Sequence, residues 1–189
     1  MHCMKKIGMI SIIILCFPVL SLSGLNSSAQ IAIDMDISTT DYDASISAIE
    51  NKASVNTEQT ISVAIVAQNV NNLDTYQMDV VYDPDILELV NTVEDDPVVA
   101  GLTNILKKNK GFTLGFTATK TQAGMVNIAN TLVGNNPDQA PEGSGIMAIL
   151  TFRKLQPKET VLSVANVHFI DSFRKQDTIV KRSIGYFSE

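Results

Sequence analysis

The sequence predicts an all-β protein built as a two-sheet β-sandwich, and three observations carry that expectation. Eight short runs with β-branched or alternating character follow one another from Ala44 onward. Turn-forming residues separate them: Asn71-Asn72, Gly111, Gly124, Asn135-Asn136-Pro137 and Gly143-Ser144-Gly145. Finally, Asn72 to Val90 joins a period-2 strand directly to a capped turn, as the exit of a half-buried strand requires.

In chain order, Gln30 to Asp43 carries Asp34, Asp36, Asp41 and Asp43 among Ser and Thr, and reads as an acidic lead-in ordered only in part. Asp34-x-Asp36 hints at calcium, but an EF-hand loop needs a central Gly and a twelfth-position Glu, where this stretch has Thr39 and Ser45. The strand runs are Ser45–Ile49, Thr60–Gln68, Thr75–Tyr82, Phe112–Thr119, Met125–Val133, Ile146–Leu155, Thr160–Ile170 and Thr178–Phe187. Eight of them suit two packed sheets.

Within Thr75–Tyr82, Tyr76, Met78, Val80 and Tyr82 share an apolar face, while Thr75, Gln77, Asp79 and Val81 form an outward row. Asp83 caps a short helical turn opened by Pro84, and Ile86, Leu87 and Leu89 fold back onto the apolar layer. By the same alternation Thr113, Thr117 and Thr119 face away from Phe112, Leu114 and Phe116. A short helix is expected near residues 96–110: Asp96 caps it, Pro97 starts it, Leu102, Ile105 and Leu106 face inward, and Lys107, Lys108 and Gly111 suit its end. There is no internal repeat or Pro-rich linker to separate a second module.

Residues 1–29 have the layout of a secretory signal peptide: Lys5 and Lys6, the apolar run Ile7–Leu22, then small residues ending at Ala29. Pro18 breaks the run, which falls short of the roughly 20 residues of a spanning helix, so cleavage after Ala29 and no later membrane span are expected. The protein would then be secreted, extracellular or periplasmic. Removing 29 of 189 residues leaves 160, enough for one sizeable core. Both cysteines, Cys3 and Cys16, go with the leader, so packing alone must stabilise the rest. Losing Lys5 and Lys6 leaves 12 basic against 20 acidic residues, a net −8, which argues against a nucleic-acid partner.

Tyr82-Asp83-Pro84-Asp85-Ile86-Leu87-Glu88, at the end of the strand from Leu73, resembles the early strand and turn of cohesin domains. Gly143 to Phe152, followed by Leu162 to Asp171, is similar to a Gly-then-apolar strand, the next strand and an acidic turn late in that domain. The order and spacing fit one cohesin-like domain over residues 44–189. This resemblance implies a nine-stranded jelly roll without cofactor or catalysis. It implies as partner a dockerin module, which carries its own calcium, in extracellular polysaccharide catabolism. In cohesins of the first type, an Asn-x-Asp pair before Tyr-Asp-Pro bonds to dockerin; Thr75 and Gln77 stand at the matching positions. The resemblance thus places partner contact on Thr75, Gln77, Asp79 and Val81, with Thr117 and Thr119 on a neighbouring strand.

Other functions fit less well. After the leader, His168 is the one histidine, too few for a zinc site, and no Gly-x-Ser-x-Gly elbow occurs. Glu88 and Glu94-Asp95-Asp96 could supply glycosidase carboxylates only by residue type, and Glu94–Asp96 reads more simply as a solvated turn. A carbohydrate-binding module would share the strand pattern, but this chain has no Trp, and Tyr76 and Tyr82 are assigned to the core. Direct polysaccharide contact would require Tyr186, Phe187 and Phe173 to be exposed together. An adhesin or matrix subunit, accepting a partner strand at an open sheet edge, is the third class.

Overall fold

Eleven strands form two sheets in the computed structural model, which describes residues 29–37, 42–96, 98–134, 136–173, 175–176 and 179–188. They are β1 (Ala29–Asp34), β2 (Lys52–Ser54), β3 (Thr60–Val70), β4 (Leu73–Val81), β5 (Leu87–Val93), β6 (Thr117–Gln122), β7 (Met125–Thr131), β8 (Gly143–Lys154), β9 (Thr160–Asp171), β10 (Ile179–Arg182) and β11 (Gly185–Ser188). The first sheet runs β10-β1-β3-β8-β5 and the second β2-β11-β9-β4-β7-β6. Neighbours are antiparallel except β1 with β10 and β2 with β11, which are parallel.

The expected two-sheet sandwich is the observed one, with eleven strands where the resemblance implies nine. The C-terminal run splits at Ser183 and Ile184 into β10 and β11, which pair in different sheets, and three-residue β2 adds an edge. The segment before Ala29, expected to be a signal peptide, lies outside the described residues, as do Asp41 and Pro97.

Alternation explains the core. Tyr76, Met78 and Val80 of β4 are fully buried, as are Val63 and Ile65 of β3, Leu150 and Phe152 of β8, and Phe169 of β9. Tyr82 packs edge-on against Phe152, with ring centroids 5.2 Å apart. Beyond it the Asp83 carboxylate accepts the Asp85 N–H at 2.9 Å, and Ile86, Leu87 and Leu89 are buried as the sequence implies.

Four local expectations give way. The acidic lead-in contains β1, a strand flanked on both sides: Ile31, Ile33 and Met35 alternate into the core, and this signal was masked by the aspartates. Ser45–Ile49 forms a 3₁₀ turn, Ile46–Ala48, rather than a strand. In the run Phe112–Thr119 the strand begins only at Thr117. The helix near residues 96–110 reduces to one 3₁₀ turn, Ile105–Lys107, capped not by Asp96 but by Asn104, whose Oδ1 accepts the Leu106 N–H at 3.0 Å. Gly101 interrupts the helical path with φ of +85°, where a side chain would strike the Tyr42 carbonyl. Leu102, Ile105 and Leu106 are buried nonetheless.

The two sheets differ on their outer faces. Over the first, Ala32, Ala64, Val66, Ile146 and Ile149 form a second apolar cluster, closed by Tyr42 and Leu102 from the excursions after β1 and β5. Tyr42, expected in the tail, is buried, and its hydroxyl donates to Asp34 Oδ2 at 2.9 Å. Asp34 Oδ1 accepts the backbone N–H of Asp36 and of Glu50, so one carboxylate ties both ends of the excursion. Burial pushes the Asp34 carboxyl above its ordinary pKa.

Replacing Tyr82 by Ala removes a core ring that Phe152 cannot refill. The variant is expected to lose about 3 kcal/mol or more in urea denaturation; a change within error would show that the ring does not support the core.

Candidate functional site

Among the described residues, no apolar cluster covers the outer face of the second sheet, and its residues are fixed by register. Two rows cross four strands and a third crosses three. Ala165, Asp79, Asn127 and Thr119 lie side by side across β9, β4, β7 and β6. His168, Gln77, Ala129 and Thr117 form the next row. Ile170, Thr75 and Thr131 form the third, which Leu114 extends by donating its N–H to the Thr131 carbonyl at 2.8 Å. Val81, beside Ser163 and Met125, closes the near end.

The structure therefore brings Thr75, Gln77, Asp79, Val81, Thr117 and Thr119 onto one face. Their chemistry differs. Gln77 is exposed, and its Nε2 reaches Asn127 Oδ1 at 3.5 Å. The Thr75 hydroxyl is committed to its neighbours, 2.6 Å from the Thr131 hydroxyl and 2.9 Å from Asp74 Oδ1. Thr117 and Thr119 lie on the fully exposed edge strand β6.

Asp79 is not a freely accessible contact. It is 8% exposed, with Oδ1 accepting Asn127 Nδ2 and Oδ2 accepting Asn166 Nδ2, each at 2.7 Å. Asn166 reaches it because β9 bulges there: Gln77 pairs with His168 but Asp79 with Ala165, and Asn166 takes φ of +47°. The bulge also shifts the outward positions from odd residues, such as Ser163 and Ala165, to His168 and Ile170.

Thr113 departs from expectation in the opposite sense. Its hydroxyl points inward and donates to Glu94 Oε1 at 2.8 Å, leaving Phe112 and Leu114 74% and 69% exposed. Phe116 is half-buried against the core. Gly115, with φ of +71°, switches the alternation between Leu114 and Thr117, so a single register cannot serve the whole run. Phe112, Leu114 and Val133 thus make an apolar end to the polar face.

Glu94 holds this end in place. It is no solvated turn residue: it accepts Asn130 Nδ2 at 2.7 Å as well as Thr113, and pairs with Lys107 Nζ at 2.9 Å. Lys107 also meets Asp95 at 2.7 Å, and these hydrogen-bonded carboxylates raise its pKa against the effect of burial. Glu88 pairs with Arg153, whose Nε donates at 2.8 Å and whose Nη2 meets the same oxygen. The acids weighed for glycoside cleavage are thereby engaged in structural contacts.

Asn127, Ala129, Thr131, Asn166, His168 and Ile170 were not singled out as site residues from sequence. The burial alternation of β7 was legible in Met125–Thr131; the β9 bulge was not. His168 is an exposed strand residue, with Nδ1 3.1 Å from Gln176 Nε2. Phe187 is buried in the core, so Tyr186, Phe187 and Phe173 form no shared aromatic platform.

A family model described as the cohesin domain matches residues 45–152. The chain belongs to the cohesin domain family. Cell surface glycoprotein 1 of Acetivibrio thermocellus is 26% identical over 148 residues, covering 72% of this chain. The chain spans 6% of that relative's length. Among solved structures, the sixth cohesin of scaffoldin B from Acetivibrio cellulolyticus, in complex with a dockerin mutant, superposes with a TM-score of 0.61 at 14% identity, covering 86% of this chain and 99% of that one. The non-cellulosomal cohesin of the archaeon Archaeoglobus fulgidus gives 0.57 at 10% identity, covering 85% and 90%. These likenesses extend the cohesin fold over most of the chain, including β1, which precedes the matched segment.

Glu94→Ala removes the acceptor of three donors. It is expected to destabilise this cohesin by about 1–3 kcal/mol and to speed hydrogen exchange at the Leu114 and Val133 amides. Unchanged exchange at both amides would show that Glu94 does not hold the segment.

Proposed function

We propose that this cohesin domain is a non-catalytic receptor that docks a dockerin-bearing partner on the outer face of its second sheet. The observation that carries the reading is the asymmetry between the sheets: excursions cover one outer face, while the other presents ordered polar rows ending in exposed Leu114 and Phe112. The Acetivibrio cellulolyticus neighbour was solved with a dockerin, which supports the choice of partner class.

On this reading Gln77, Ala129, Thr117, Thr119 and His168 meet the partner. Thr75 and Asp79 hold the surface in shape, and Val81 borders it. Hydrogen bonds set orientation, and the apolar end supplies much of the binding energy. Calcium belongs to the dockerin. The leader-like N-terminus supports export, and a cut after Ala29 would leave Gln30–Asp34 in β1. The partner class supports a place in extracellular polysaccharide catabolism.

Ala129→Arg puts a long cationic side chain in the middle row without touching the core. Calcium-loaded dockerin modules are the probe, measured by calorimetry with and without chelator. Wild-type binding that requires calcium and falls about 100-fold in Ala129→Arg, at unchanged melting temperature, is expected. Equal affinities for the two proteins would remove this face as the docking site.

A further inference from the structure

We propose that an amide-lined cleft on the outer face of the first sheet is a binding site for one neutral sugar ring. The cleft has a volume of about 240 Å³ and lies where Gln30 of β1, Gln68 of β3, Ile49 and Asn51 of the excursion after β1, and Ser183 between β10 and β11 meet. It sits at the margin of the apolar cluster over that sheet, against which Ile49 packs. Because it belongs to the other sheet, the inference goes beyond the docking reading and does not rest on it.

Gln68 is the observation that points to a ligand. The residue is 3% exposed, and its Nε2 donates to the Ala44 carbonyl at 3.3 Å. Its Oε1 accepts from no donor among the described residues. That oxygen is not sealed in, because the enclosed side-chain atom without a partner among the described residues is Ser172 Oγ. An amide otherwise withdrawn from water thus keeps one open acceptor for the cleft that it lines.

The groups around that oxygen are neutral and two-sided. Gln30 is the cross-strand partner of Gln68, so the two amides stand side by side on the outer face. The side-chain amides of Gln30 and Asn51 have no partner among the described residues, and each offers both donors and an acceptor. Ser183 Oγ accepts the Ile33 N–H at 2.9 Å, which leaves its O–H to donate. Ala32 and Ile49 add a small apolar surface.

This lining selects the ligand by charge, chemistry and size. No charged side chain among the described residues lines the cleft, so a carboxylate would meet the Gln68 oxygen without a cation to offset it, and an ammonium would find no anion. A hydroxyl both donates and accepts, so it answers Gln68 Oε1 and a neighbouring amide N–H together and reproduces the hydrogen bonds of the water it displaces. Several hydroxyls on one ring, with C–H surface turned to Ala32 and Ile49, make a sugar. The volume falls below the roughly 300–1,000 Å³ of drug-sized sites and suits one ring. Hydrogen bonds rather than stacking hold it, so no exposed aromatic platform is needed.

The test titrates the methyl glycosides of glucose, galactose and xylose into ¹⁵N-labelled protein and follows the side-chain amides of Gln68 and Asn51 by NMR. Saturable shifts of both amides are expected with at least one of them, at a dissociation constant on the order of 1–10 mM. Glucuronate, a charged counterpart, should bind about 10-fold more weakly. Asn51→Ala removes an exposed amide that the fold does not use, and should weaken binding about 5-fold at unchanged melting temperature. Gln68→Met keeps the length of the side chain without its acceptor and should abolish the response; if it does not fold, Asn51→Ala decides. No saturable shift with any of the three sugars, equal affinity for glucuronate, or an undiminished response in Asn51→Ala overturns the site. A hexasaccharide of the sugar that binds separates the two sources of this chemistry: comparable affinity assigns the cleft to the end of a glycan chain, and its exclusion to a free sugar.

Discussion

One buried polar contact connects the core to the exposed face. Tyr76, in the middle of the second sheet, donates its hydroxyl across the sandwich to the Met147 carbonyl of β8 at 2.5 Å and accepts Asn104 Nδ2 at 2.8 Å. Asn104 Nδ2 lies equally close to Met147 O. Burial drives the Tyr76 hydroxyl's pKa upward, so it stays protonated and remains a donor. A polar group this deep is costly unless bonded, so the contact favours one placement of β4 relative to β8 over its sliding alternatives. Asn104 also caps the 3₁₀ turn and donates to the Glu94 carbonyl. Glu94 in turn holds Thr113 and Asn130, which sets how the edge beyond β7 meets the outer face.

How much of this was legible in the sequence follows from the range of the interactions. β4 and its exit were legible because Tyr76, Met78 and Val80 alternate cleanly and Asp83-Pro84 is local turn chemistry. β1 was hidden by composition: Asp34 and Asp36 read as solvated, yet Asp34 is satisfied by Tyr42 and by backbone N–H groups from Asp36 and Glu50. The segment around Thr113 failed because its register depends on Glu94, nineteen positions earlier, and on a backbone switch at Gly115. Such long-range tethers leave no periodic trace. The outward row on β4 was read correctly as a row, but alternation cannot show that Asp79 is enclosed by two asparagines.

The same limit separates geometry from recognition. Thr75 spends its hydroxyl on Thr131 and Asp74, so among the outward polar side chains of β4 Gln77 is the exposed one. A face with few free polar groups and one apolar end suits a reversible contact. Specificity must then come from matching the positions of the few groups that are offered.

The face also has to avoid indiscriminate strand pairing, because β6 leaves a backbone edge open. All six of its residues are exposed, and they are polar or small: Thr117, Ala118, Thr119, Lys120, Thr121 and Gln122. Lys120 folds toward Leu89, bridging the edges of the two sheets. Short edge strands with an inward-turned lysine are poor templates for another chain. The sandwich thus discourages association through the β6 edge while leaving the adjacent face open, so what that face displays is side chains from paired strands rather than backbone hydrogen-bonding groups. That division favours sheet-face docking over strand addition, because β9, β4 and β7 already pair on both sides and have no backbone edge left to lend.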